Sequence, residues 1–419
     1  MKSIAVVDAY STGSMLAPAC MDAGFRTVHI DTGCDLHSEL KRTFVGRYFD
    51  ESVSLTRIGV EEIAVWLQSL GTVAVVPGTE SGIEVAERLA AILDLSGNDP
   101  MTLDRRRDKF ETIKSLKGVG LPHPISHVFD KATDALSWIE RHGLRRIVIK
   151  PCSSAGSDRV VPAFLEEGND AGFESLVRDV FDDVLSRPNI FGEPNSGVLV
   201  QEFIEGPEYV VDTVSCNGDH KVTDVWIYKK IRLGEHDFVY KSEHLLNVDD
   251  LPTGLVEYAL SALDALDIRF GPAHMELIQS KNSHPYLIDI GARPSGGCIH
   301  TLLQHCYDFT QIEATLWSYA DWVQFQTLPD VPPNSEIHAQ RRYVLPSIGG
   351  SVRLLDDFRD LRCYPAVKDI HLTYDVGQKI EPLSSLLSSV GHVDFAHRDR
   401  DAYKLAIGAF EALEAKAFI

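Results

Sequence analysis

"MELIQSKNSHPYLIDIGARPSGG", Met275 to Gly297, decides how the chain is read. "GPAHMELIQS" and "PYLIDIGAR" have the composition of two strands, and the polar "SKNSHP" between them is a turn, so the stretch predicts a hairpin. Antiparallel pairing across that turn sets Glu276 and Asp289 on one face. Like charges directly opposite each other destabilise a hairpin by up to about 1 kcal/mol unless something neutralises them. A divalent cation with oxygen ligands does so, and Mg²⁺ in particular keeps its waters while joining carboxylates to phosphates. Arg293 follows, placed to clamp an anion, and Ser295-Gly296-Gly297 lets a ligand approach the backbone closely. His274 shares the strand face of Glu276, as a supporting group or as a core histidine. The plain alternative is a surface hairpin bearing two solvated acids.

Upstream stretches favour the first reading. Lys150 closes the strand "IVIK" and precedes Pro-Cys-Ser-Ser-Ala-Gly-Ser, so one ammonium and the backbone N–H groups around Ser153, Ser154, Gly156 and Ser157 can face phosphate oxygens. This is no GxxxxGK[ST] loop, because the lysine comes before the small residues. Lys109 lies in the predicted helix "RRRDKFETIKSLKGVG". In "VLVQEFIEGPEYVV" an apolar strand runs into Gln201, Glu202 and Ile204, turns at Gly206-Pro207 and resumes at Glu208. Its backbone can bond the edge of a base, and Glu208 can accept from ribose hydroxyls.

Composition sets the outer limits. At 419 residues the chain predicts two or three domains, and 44% hydrophobic with 24% charged residues is ordinary for globular proteins. A net charge of −21 argues against nucleic acid or an anionic membrane as partner. No apolar run of about 18 residues predicts a membrane span, and "MKSIAVVDAYSTG" lacks a leader's apolar core. Seven cysteines without CxxC spacing fit reduced thiols and a cytoplasmic location.

Residues 1–103 alternate strand and helix signals, which predicts a doubly wound parallel sheet with ligand loops at Ser11-Thr12-Gly13 and Gly78–Gly82, the latter carrying Glu80. Residues 104–327 read as α+β with antiparallel strands. Beyond the linker "LPDVPPNSE", residues 328–419 read as a small α+β module closed by the helix "DRDAYKLAIGAFEALEAKA".

In this order the residues resemble the ATP-grasp superfamily, whose ligases activate a carboxylate as an acyl phosphate and pass it to an amine. "RDKFETIKSLKGVGLPHP", "VIKPCSSAGSDRV", "VQEFIEGPEYVVDT" and "GPAHMELI…YLIDIGARPSGG" look like its nucleotide half-domains, and "RRYVLPSIGGSVRLL" like the C-terminal module of the amino-acid ligase branch, including dipeptide ligases of antibiotic pathways. The resemblance implies an ADP-forming ligase using ATP and Mg²⁺, with Mn²⁺ as a substitute, acting on small-molecule acids and amino acids, and compatible with a homodimer. Carried over by position, Lys109 and Lys150 hold ATP phosphates, Gln201, Glu202 and Ile204 grip adenine, Glu208 takes the ribose, and Glu276 and Asp289 hold the metal. Arg293 faces the reacting carboxyl, with Ser295, Gly296, Gly297, Glu80 and His244 toward the substrates. Two departures stand out: Asp289 replaces the commoner glutamate, and Gly291 replaces an asparagine ligand. A lid over the intermediate is expected at residues 152–157 or in "LGEHDFVYKSEHLLN", where Glu243 and His244 are candidates to contact the acceptor amine. Other readings are a carboxylase or purine-pathway ligase of the same superfamily, or a nucleotide-binding module without catalysis.

Overall fold

The computed structural model describes residues 1–416 apart from 157, 234–235, 298, 346–349, 352–354, 374–376, 378 and 381–389. Near the N-terminus, Ser3–Val7, Arg26–Asp31, Glu51–Ser54 and Thr72–Pro77 form a four-stranded sheet. All of its pairings are parallel, as the alternation of strand and helix signals predicts. Ser3–Val7 is buried along its whole length, the mark of a strand covered on both faces. The loops after Val7 and Pro77 approach so closely that a Cβ on Gly13 would lie 2.2 Å from the Gly78 carbonyl oxygen. Only glycine fits there.

A second sheet is antiparallel, ordered Ser126–Phe129, Val198–Glu202, Arg146–Pro151, Val161–Phe164. Helices Ala132–Arg141 and Asp170–Ser186 cover one side through Trp138, Ile139, Phe173, Val177, Phe181 and Val184. The strand Val161–Phe164 and the helix Asp170–Ser186 had no place in the sequence reading, although Phe173, Val177, Val180, Phe181 and Val184 keep helical spacing.

The largest sheet has eight antiparallel strands. Their order is Pro285–Gly291, Phe270–Gln279, Glu208–Cys216, Asp219–Leu233, His236–Leu245, His338–Tyr343, Gly391–His397, Val367–Leu372. The strands that follow the proline-rich stretch at 328–336 thus extend the sheet that carries the Glu276–Asp289 hairpin. Helix Leu255–Ala265 packs its Leu255, Ala259, Ala262 and Leu263 against Met275, Leu277 and Leu287 of the hairpin. Helix Arg400–Glu414 closes the other end through Phe410.

The single helix expected over "RRRDKFETIKSLKGVG" is two, Asp104–Arg107 and Lys109–Gly118. Asp108 is extended (φ −100°, ψ 116°), and its carboxylate accepts from the backbone N–H groups of Phe110 and Glu111. An aspartate serves an N-cap better than a helix interior, so the chain breaks there and restarts with Lys109 as its first helical residue.

Candidate active site

Strand alternation lays out the site. Met275 and Leu277 point into the core, so His274, Glu276 and Ile278 face a cleft of about 880 Å³ between the two antiparallel sheets. Glu276 is the direct cross-strand partner of Asp289, as the hairpin reading requires.

The two carboxylates are surrounded by cations. Lys109 Nζ lies 3.0 Å from Asp289 Oδ1 and donates to the Ser154 carbonyl at 2.7 Å. Burial opposes its charge, but Asp289 raises its pKa above the ordinary lysine value. Lys150 arrives from the other sheet, is 3% exposed, and donates to the Ile288 carbonyl at 3.3 Å. Burial, with the charge of Lys109, pushes its pKa down to about 8. Behind Glu276, His274 Nδ1 is bonded to Asp212 Oδ1 at 2.7 Å and Nε2 lies 3.9 Å from Glu276 Oε1. Burial opposes the imidazolium, but Asp212 outweighs it and lifts His274 to about 9. For Glu276 burial favours the neutral acid, while His274, Lys230 and Arg293 overcome it and hold the carboxyl at about 2. Glu276 is therefore ionised at neutral pH.

Arg293 Nε lies 3.5 Å from Glu80 Oε2, and Arg107 Nε lies 3.9 Å from Glu80 Oε1. Glu80 thus reaches from the N-terminal sheet to the hairpin. Gly291, where the resemblance anticipates asparagine, leaves room for this contact, because a Cβ there would stand 2.6 Å from Glu80 Oε2 and 3.0 Å from Arg293 Nε. Ser295 N–H donates to Gln311 Oε1 at 2.7 Å. Gly297 (φ +69°) donates to Ser11 Oγ at 3.0 Å and accepts from Arg341. The Ser-Gly-Gly loop is therefore gripped from both the N-terminal and the C-terminal side.

Gln201, Glu202, Ile204 and Glu208 all line the cleft, on the strand Val198–Glu202 and just beyond it. Glu202 Oε2 accepts from Ile125 N–H at 3.2 Å, so that side chain pins the local structure. Glu208 is held by Lys230 Nζ at 2.6 Å. Ser154 and Gly156 line the cleft, Ser154 Oγ donating to Asp158 at 2.7 Å. Ser153 does not line it, and its carbonyl accepts from Asn189 at 2.9 Å. Ser157 lies outside the described residues.

Two expectations are corrected. Residues His236–Leu245 are a strand paired along Asp219–Leu233 and, over Ser242–His244, also with His338–Tyr343, so the part that carries Glu243 and His244 is fixed within the sheet and is not a loop. His244 faces away from the cleft and bonds Ser242 Oγ at 2.8 Å, and burial lowers its pKa to about 4. Ser242 and His244 face away from Glu243 by strand alternation, and a register shift at Lys241 brings Tyr240 to the cleft face beside Glu243. Sequence reasoning also missed Arg107, hidden in a run of three arginines, and Lys230, Tyr228, Tyr240 and Tyr343 on the sheet floor.

Residues 106–297 match the ATP-grasp domain family. Over 415 residues the chain is 26% identical to dapdiamide A synthase of Enterobacter agglomerans, covering 95% of this chain and 92% of that protein. It is 21% identical over 320 residues to the L-arginine-specific L-amino acid ligase of Bacillus subtilis, covering 74% and 72% of the two chains. Among solved structures it is similar to the L-amino acid ligase from Bacillus licheniformis, with a TM-score of 0.73, 18% identity, and 98% and 97% of the two chains covered.

Proposed function

We propose that the chain, whose residues 106–297 match the ATP-grasp domain family, is a ligase that couples ATP cleavage to ADP with amide-bond formation between a small acid or amino acid and an amino acid. The observation that carries this reading is the convergence of Lys109, Lys150 and Arg293 on the register-matched pair Glu276 and Asp289. A carboxylate and a triphosphate repel each other, so catalysis of their reaction is first a matter of positioning and charge.

The donor set fits a hard divalent cation, since it offers carboxyl oxygen ligands on adjacent strands and no sulfur. Glu276 and Asp289 would hold Mg²⁺, which supplies charge neutralisation to the phosphates when bound. Lys109 and Lys150 would then hold phosphate oxygens, with backbone groups of the loop around Ser154 and Gly156. Gln201 and Ile204 would bound the adenine, and Glu208 the ribose. Arg293, fixed by Glu80, would orient the donor carboxylate, and the clamped Ser295–Gly297 backbone would keep it in line. The free cysteines support a reducing compartment, and no described helix is long and apolar enough to cross a membrane.

Phosphate release on adding the common L-amino acids, singly and in pairs, to protein, ATP and Mg²⁺ tests the proposal, with product mass identifying the amide. ADP-forming turnover with a condensed product is expected. Turnover with bicarbonate and no amine acceptor, or none with any acid, would contradict it.

A further inference from the structure

Across the sheet from the carboxylate pair, the cleft ends at Glu243. This side chain is 7% exposed yet lines the cleft, at a position where its strand pairs with Tyr228 on one side and Arg341 on the other. Its surroundings differ from those of the other cleft acids near it. Glu276 has His274, Asp289 has Lys109, Glu80 has Arg293 and Glu208 has Lys230. Glu243 has no cationic partner among the described residues; its hydrogen bond comes from the Tyr343 hydroxyl at 2.5 Å. The nearby Arg341 is already committed, with Nε and Nη2 bonded to Asp394 at 2.7 and 2.8 Å.

The charge of Arg341 favours the Glu243 carboxylate without an ion pair to it, but burial outweighs that help, and a cation arriving at the carboxylate would offset the cost. The aromatic lining narrows what that cation is. Tyr240 and Tyr343 have ring centroids 6.3 Å apart, Tyr228 and Tyr240 5.1 Å, and Tyr240 donates to Glu276 Oε1 at 3.4 Å. These rings accept cations, since Lys230 Nζ already lies 4.3 Å from the Tyr240 centroid and 5.9 Å from that of Tyr228. The Glu243 carboxylate and the Tyr343 ring are the part that faces an incoming ammonium, and Tyr240 connects that place to the carboxylate pair where the donor would be activated.

Resting on the ligase reading above, we propose that Glu243 and Tyr343, with Tyr240 and Tyr228, form the subsite for the α-ammonium of the acceptor amino acid, and that Glu243 accepts its proton. The amine nitrogen attacks the acyl carbon of the activated donor, the C–N bond forms, and the C–O bond to phosphate breaks. Glu243 takes the first proton, which turns the ammonium into the attacking amine, and phosphate leaves with the C–O electron pair and takes up the second proton that nitrogen loses. Burial holds the Glu243 pKa above the ordinary carboxylate value, which suits a group that must take up a proton and release it again.

Glu243→Gln keeps the shape and removes the charge. With the common L-amino acids as donor and acceptor probes, its kcat/KM for the acceptor should fall about 100-fold. Hydroxylamine is uncharged at neutral pH and needs no base, so it should still capture the activated donor as a hydroxamate. Tyr343→Phe leaves the carboxylate but removes its hydrogen-bond donor, and should lower acceptor kcat/KM by about tenfold. Loss of hydroxamate and ligation in equal measure by Glu243→Gln, or unchanged ligation in both variants, overturns the subsite. Should Glu243→Gln fail to fold, Tyr343→Phe decides by the same two readouts. No hydroxamate from the wild-type protein with any donor overturns the ligase reading, and the subsite with it.

Discussion

The two ends of the cleft share one face of one sheet and treat their acids differently. At the Glu276–Asp289 end each carboxylate is matched by a lysine or an imidazolium, and at the other end Glu243 rests on a phenol. An end whose acids are already balanced receives a triphosphate comfortably only if positive charge arrives with it, as a divalent cation does. The end whose acid lacks an ion pair among the described residues takes its cation from the substrate instead. Two polarities of ligand are thus sorted along a single strand-to-strand row.

The contrast is broken most severely at Glu276. Glu276→Gln should lower turnover by about a thousandfold, because a metal ligand contributes several kcal/mol of charge stabilisation in the transition state. Thermal unfolding should remain cooperative, since the residue faces the cleft and not the core, and near-normal phosphate release from this variant would remove the metal assignment. Lys150 sharpens the comparison through pH. Its pKa is lowered to about 8, so its ammonium is intact below that value and discharges as pH rises through it. Wild-type kcat/KM for ATP should decline from pH 7 to 9, while Lys150→Arg, which stays charged, should flatten the profile. An identical decline in both proteins would place the titrating group elsewhere.

Gln201→Ala tests a position away from both ends. KM for ATP should rise by about tenfold with kcat little changed, as for loss of one to two hydrogen bonds. Unchanged nucleotide affinity would move the adenine site. The smallest effect is expected next to the largest claim at the acceptor end: His244→Gln should keep kcat/KM for both substrates within about twofold, since this side chain leaves the cleft by strand alternation. A large loss there would mean that the strand register at Lys241 differs in solution.

That pair of neighbours also marks the boundary of what the chain reveals in one dimension. The Glu276–Asp289 register was legible because a short polar turn joins two strand-like runs and leaves little choice of pairing. Lys150 was legible as a strand end beside small residues. His244 was misplaced because neighbours on a strand face opposite ways and "VYKSEHLL" does not say whether Glu243 or His244 faces the cleft, while the shift at Lys241 that brings Tyr240 to the same face has no signature there either. The helix break at Asp108 could have been read from its capping chemistry. The grip of Ser11 and Arg341 on Gly297, and the reach of Glu80 to Arg293, join residues far apart in sequence, and no local pattern announces such contacts. The Gly291 departure, read from sequence as a lost ligand, proves to be the space that Glu80 occupies.

The central claim is that Glu276 and Asp289 hold one divalent cation between strands for a bound triphosphate. Anomalous scattering from crystals grown with Mn²⁺ and a non-hydrolysable ATP analogue tests it most directly. The account predicts a Mn²⁺ peak within about 2.3 Å of an oxygen of each carboxylate, and the peak should be absent from Glu276→Gln. A peak elsewhere in the cleft, or one that survives in the variant, would contradict it.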